Sequence, residues 1–164
     1  MYLTKTKCLL LICSLISLSS CKPDVIEIPD GLDAQEEALL IAVNDFRAEG
    51  DNCGSGFNQT APSVTWNFVL EEIARVHAQD MDDNDFFAHE GSDGSTVGVR
   101  ATELEYAFST IGENIATGFT AVDAVMEGWI NSSSHCELLL NDNFTEIGVA
   151  RVNNVWVMVL AKPL

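Results

Sequence analysis

Positive charge is scarce in this chain. Eight lysines and arginines face 25 aspartates and glutamates, a formal net charge of −17. That deficit argues against nucleic acid, whose phosphates call for clustered cations, and against adhesion to anionic lipid heads through charge. It favours cations, cationic peptides or plain solubility. Apolar length is scarce too: the run from Cys8 to Leu18 is too short to span a bilayer as a stable anchor. There is no GxSxG nucleophile elbow. There is no CxxC pair to suggest a zinc knuckle. The acidic stretch Asp80 to Asp85 fails as a calcium loop, because Asp85 stands where glycine is required and the closing glutamate is missing. It reads as a solvated helix end.

What is present begins with an address. Lys5 and Lys7 precede the apolar run, which ends in Leu18-Ser19-Ser20-Cys21. This resembles a bacterial lipoprotein signal, and the resemblance implies cleavage before Cys21 and lipid on its thiol. An ordinary secretory leader with a chance cysteine is the alternative. Several acyl chains on Cys21 would anchor the protein stably to a membrane. Lys22, where some inner-membrane lipoproteins carry aspartate, points to the outer membrane or cell surface. Residues 21–33, with Pro23 and Pro29 among acids, form an expected tether between a leader (1–20) and one domain (34–164).

The five cysteines then sort themselves. Cys8 and Cys13 leave with the leader and Cys21 takes lipid, so Cys53 and Cys136 remain as an even pair in an exported domain, where disulfides persist. Closing a loop of more than 80 residues would stabilise by about 4 kcal/mol in the chain-entropy model.

Asp33 and Glu36 form a capping box for a helix over about Ala34 to Ala48, with Leu39, Val43 and Phe46 at helical spacing. A second helix follows Thr65, with Leu70, Ile73, Ala74, His77 and Met81 on one stripe. His77 on that apolar stripe is expected to be a buried, hydrogen-bonded structural residue. Short helices are predicted at Val97 to Glu103 and Val122 to Trp129. Thr145 to Val152 and Val155 to Ala161 flank Asn153-Asn154, a hairpin signal. Trp66, Trp129 and Trp156 read as core anchors. Helices first and a terminal hairpin indicate an α+β domain.

The chemistry gathers at two of the three histidines and one acid: His89 in Phe86-Phe87-Ala88-His89, Glu113 in Gly112-Glu113-Asn114-Ile115-Ala116, and His135 after Trp129-Ile130-Asn131-Ser132-Ser133-Ser134. Two imidazoles and a carboxylate among apolar or small residues suit a metal site or an acid–base site. Their order, together with Val43-Asn44-Asp45-Phe46-Arg47, Ala74 to Met81 and Glu146-Ile147-Gly148-Val149, resembles the CAP superfamily of cysteine-rich secretory, venom-allergen and pathogenesis-related proteins. The resemblance covers Ala38 to Ala161.

It implies an α-β-α sandwich with a small antiparallel sheet between helical layers. It also implies a cleft across which His89 and His135 can bind Zn2+ or another divalent cation, with Glu113 beside them. Glu113 could orient an imidazole, take a proton from water, or bind backbone. The family's second cleft glutamate is missing: Ser132 stands about where it would be, and Glu146 is a possible substitute.

The function expected is a membrane-anchored, extracytoplasmic binding module for a lipid, peptide or cell-wall ligand, acting as a monomer. The alternative is a metal-assisted, peptidase-like hydrolase using His89, Glu113 and His135. A serine nucleophile among Ser132, Ser133 and Ser134 is disfavoured, since a side chain seldom reaches its sequence neighbour's ring.

Overall fold

In the computed structural model of the chain, residues 27–54 and 57–164 are described. The leader, Cys21 and the tether up to residue 26 lie outside them. No described helix is long and apolar enough to cross a membrane.

Helix α1 (Ala34–Glu49) starts on the expected capping box: Gln35 N and Glu36 N donate to Asp33 Oδ1 at 2.7 and 2.9 Å, while Asp33 N donates to Glu36 Oε2 at 2.7 Å. Strand β1 (Thr65–Trp66) leads into α2 (Phe68–Asp83), whose N-cap Asn67 accepts from Val69 N and Leu70 N. Then come α3 (Val97–Glu103), β2 (Phe108–Thr117), α4 (Val122–Ile130), α5 (Ser133–Leu139), β3 (Glu146–Val152) and β4 (Val155–Pro163).

The sheet order is β1-β3-β4-β2. The expected antiparallel ladder is there, with Glu113 opposite Val159 and Gly148 opposite the same residue on the other side. One difference appears at the edge: β1 pairs with β3 in parallel over two residues, so the sheet is mixed. A strand of two residues is too short for alternation to announce it.

Alternation along β4 sends side chains to two separate cores. Trp156, Met158 and Leu160 pack with Leu39, Val43, Val125, Trp129 and Leu139 of α1, α4 and α5. Val155, Val157, Val159 and Ala161 pack with Leu70, Ile73, Met81 and Ala101 of α2 and α3. This is the α-β-α sandwich. Helix α2 lies very close to β3: a Cβ on Gly148 would stand 2.0 Å from Glu71 N, which accounts for glycine there.

The Asn44 and Arg47 pair fastens α1 to the rest. Asn44 exchanges two bonds with the backbone of Val64, at 2.8 and 3.0 Å. Arg47, wholly buried, donates to the carbonyls of Pro62, Leu139, Asn141 and Phe144. Burial, partly offset by Asp142, pulls its pKa down to about 10, so the guanidinium stays charged at neutral pH.

Candidate functional site

Strand β2 is a sheet edge, and consecutive residues on it face opposite layers. Glu113 shares its face with Val159, toward α2 and α3. Asn114 shares its face with Met158, toward α5. The candidate site is built around this edge.

On the first side, Glu113 is buried and ion-paired. Arg100 of α3 donates from Nη2 to Glu113 Oε2 at 2.6 Å, and the guanidinium is itself 4% exposed. The other carboxylate oxygen, Oε1, accepts from His89 Nδ1 at 2.8 Å. Because the ion-paired carboxylate acts as acceptor, the proton on that bond belongs to the imidazole. Arg100 also holds the loop that carries His89, donating to Ser95 O at 2.8 Å and contacting His89 O at 3.4 Å. His77 supports the same loop: Nε2 donates to Ala88 O at 2.9 Å and lies 3.8 Å from Glu113 Oε1. It is fully buried, the structural role its place on the α2 stripe predicts. Burial pushes its pKa down against the pull of Glu113, so the ring is neutral. Two nitrogens in this layer, His77 Nδ1 and Arg100 Nε, are buried without a hydrogen-bond partner among the described residues.

On the second side, Asn114 donates from Nδ2 to the carbonyl of His135 at 3.2 Å, fixing the first turn of α5 against β2. Gly112 lets that helix come close, since a Cβ there would stand 2.6 Å from Leu138 Cδ1. The bond between Cys53 and Cys136 adds a covalent tie from the loop after α1 to the residue beside His135. Burial first, and then the neighbouring His89, lower the pKa of His135 below its ordinary 6.5.

The two histidines come from different layers, His89 from the loop held by Arg100 and His135 from α5. His89 remains largely exposed, at 59% of its side chain. In the neutral ring, with Nδ1 donating to Glu113, the other nitrogen, Nε2, carries the free lone pair. A carboxylate–imidazole pair of this kind is the usual way a protein orients a histidine toward a cation. His135, with its lowered pKa, offers a second neutral imidazole. The chemistry of these donors, imidazole nitrogens with a supporting carboxylate, suits a divalent cation.

Glu146 lies elsewhere. Its Oε2 accepts from Asn67 Nδ2 at 2.8 Å and from Tyr106 Oη at 2.7 Å, and none of its described bonds reaches His89, Glu113 or His135. It braces the N-cap of α2 against β3. Ser132 sits at the N-cap of α5 without capping it through its side chain. Asn114, in the Gly112 to Ala116 run, is expected from the sequence to cap or brace a turn rather than react, and it braces the His135 carbonyl; Arg100 is not singled out by the sequence. The available signal was a lone arginine inside a short predicted helix, in a chain where a buried acid must find one of very few cations.

The sequence profile of the cysteine-rich secretory protein family matches residues 40–159. The uncharacterized membrane protein YlbC of Bacillus subtilis (strain 168) is 36% identical over 86 residues, 52% of this chain and 25% of its own length. The uncharacterized protein YkwD of the same organism is 35% identical over 90 residues, 54% of this chain and 35% of its own. The chain thus spans only about a quarter to a third of these relatives. An extracellular protein with an SCP domain from Bacillus anthracis superposes with a TM-score of 0.64 at 27% identity, covering 77% of this chain and 41% of that one. An outer surface protein from Borrelia burgdorferi shares the fold, with a TM-score of 0.65 at 22% identity over 78% of this chain and 92% of that one. With the profile running through both layers, the sheet and the positions of His89, Glu113 and His135, this chain belongs to the cysteine-rich secretory protein (CAP) family.

Proposed function

We propose that the chain is an extracytoplasmic binding module, held at a membrane through lipid on Cys21. Its cleft holds a divalent cation such as Zn2+ between His89 and His135 and presents it to a peptide, lipid or cell-wall ligand. The observation that carries this reading is the shared carboxylate of Glu113, pinned by Arg100 and donated to by His89 Nδ1. Both oxygens of Glu113 are engaged, so it orients a ligand histidine rather than receiving a proton from water. That favours binding over the hydrolytic alternative. Phe87, two residues before His89 and half exposed, offers an apolar surface on the same loop.

Placement at the envelope is supported by the relatives, which carry the words membrane protein, extracellular protein and outer surface protein, and by the sequence up to Cys21. On this reading residues 1–20 are the leader, 21–33 the tether and 34–164 the domain.

Zinc titration by calorimetry tests the cleft, comparing the soluble chain from Lys22 onward with a His89→Ala, His135→Ala double variant. Binding that disappears in the variant is the expected result. Equal heats from both proteins, or none from either, would leave the histidines as scaffold. Protease shaving of intact cells tests placement, since a surface-held domain is lost from cells that remain unlysed.

A further inference from the structure

Asp51 stands against the disulfide. Its Oδ1 accepts from Cys53 N at 2.7 Å and lies 3.9 Å from Cys136 Sγ. A disulfide sulfur carries no hydrogen, so the second contact is a carboxylate charge facing sulfur, not a hydrogen bond. The carboxylate and both sulfurs lie within 4.8 Å of one another, but the sulfurs are bonded to each other and offer no thiolate to a cation. What the arrangement controls is exchange.

The two cysteines are not equally open. Cys136 is fully buried, while Cys53 keeps 9% of its surface and lines a cavity of about 530 Å³. Thiol–disulfide exchange proceeds by attack of a thiolate on one sulfur while the other departs as a thiolate. Access therefore selects Cys53 for attack. That choice makes Cys136 the leaving group, and its new negative charge appears beside Asp51. An incoming anionic reagent meets the same carboxylate, together with Glu137 and Asp142 in the cavity wall.

We propose that the Cys53–Cys136 bond is a directional exchange site, attacked at Cys53, disconnected at Cys136 and guarded by Asp51 against anionic thiols. The step balances without further reagents. An external thiolate forms a mixed disulfide with Cys53 Sγ, the Cys53–Cys136 bond breaks, and the released Cys136 thiolate takes a proton from water. With a dithiol, its second thiolate attacks the reagent's own sulfur and frees Cys53. Opening the bond unties α5, which carries His135, from the loop after α1. That last consequence rests on the cleft reading; the direction of exchange does not.

The test uses the mature chain with two monothiols of opposite charge, cysteamine and 2-mercaptoethanesulfonate, and with rates corrected for thiolate fraction. Peptide mapping of the trapped adduct should find the reagent on Cys53. The ratio of the cationic to the anionic rate should fall about threefold or more in Asp51→Asn, the size expected for removing one partly screened charge a few ångströms away. It should hold steady in Asp123→Asn, which removes a remote charge. Loosening of the loop would raise both rates together and leave the ratio unchanged. An adduct on Cys136, or a ratio the same in Asp51→Asn as in the parent, overturns the proposal; the adduct position stands even if the variant folds poorly.

Discussion

Glu113 and Asn114 are neighbours on β2 and hold His89 and the His135 backbone from opposite faces of the sheet. The carboxylate binds the His89 ring from one layer, and the amide binds the His135 carbonyl from the other. A single step along an edge strand thus sets both histidines, because the strand's two-residue alternation sends adjacent side chains to opposite faces.

Arg100 is the cation that makes a buried Glu113 tolerable. Replacing it by Met should cost about 3–5 kcal/mol, the size seen when one partner of a buried pair is removed. Arg100→Lys should cost less, since it keeps the charge. Urea unfolding measures both. Equal stability of Arg100→Met and the parent would show that Glu113 is not held as an ion pair.

Arg47 makes a different demand, since it satisfies carbonyls rather than a charge. Arg47→Met fills similar space but strands the acceptors of Leu139 and Phe144 in the interior. Each unsatisfied group costs about 1–3 kcal/mol. A fall in midpoint denaturant with unchanged slope is the expected outcome, and a midpoint within error of the parent would contradict it.

The two depressed histidines give stability a direction in pH. Burial lowers His77 and His135 below the ordinary 6.5, so as pH falls the unfolded chain takes up these protons first. Stability should therefore be full above about 6.5 and decline as pH drops from there toward the lowered native values. Melting temperatures between pH 7.5 and pH 5 should show that slope, shallower in His77→Gln. A flat profile in the parent would rule out the effect.

Gly148 tests the contact of helix and sheet. A methyl group there would overlap the backbone of Leu70 and Glu71, and backbone cannot rotate aside as a side chain can. Gly148→Ala should destabilise by about 1–3 kcal/mol or more, as overpacking does. Gly118→Ala makes a useful comparison: no atom lies within 4 Å of its added carbon, though its φ of 86° adds strain of its own. If thermal melts show Gly148→Ala as stable as the parent, the close approach is not real.

Much of this was readable in one dimension. The Asp33–Glu36 cap, the spacing along α1 and α2, the bounds of α3 and the turn at Asn153-Asn154 are local signals, and the structure agrees with them. The disulfide followed from counting cysteines. Helix α5 did not show itself, because Asn131 to Ser134 are polar or small and carry no period; its form comes from packing on Gly112 and the tie at Cys136. The partners of Arg47, Arg100 and Asn114 were hidden for a related reason. A charged or amide side chain says nothing in sequence about whether its partners are carbonyls, a carboxylate or water, and all three residues find theirs far along the chain. Glu146 shows the converse: its place in the motif suggested the cleft, whereas its bonds go to Asn67 and Tyr106.

The separation of the two cores gives the cleft a mechanical meaning. His89 is bonded to Glu113 and to Arg100 of α3, on the side of α2 and α3, and His135 lies on α5 in the other layer. A ligand bridging the rings would act as a clasp over the free margin of β2, resisting any sliding of one face past the other. Amide exchange along Phe108 to Thr117 is where that clasp would register, well before any change in the global melting curve.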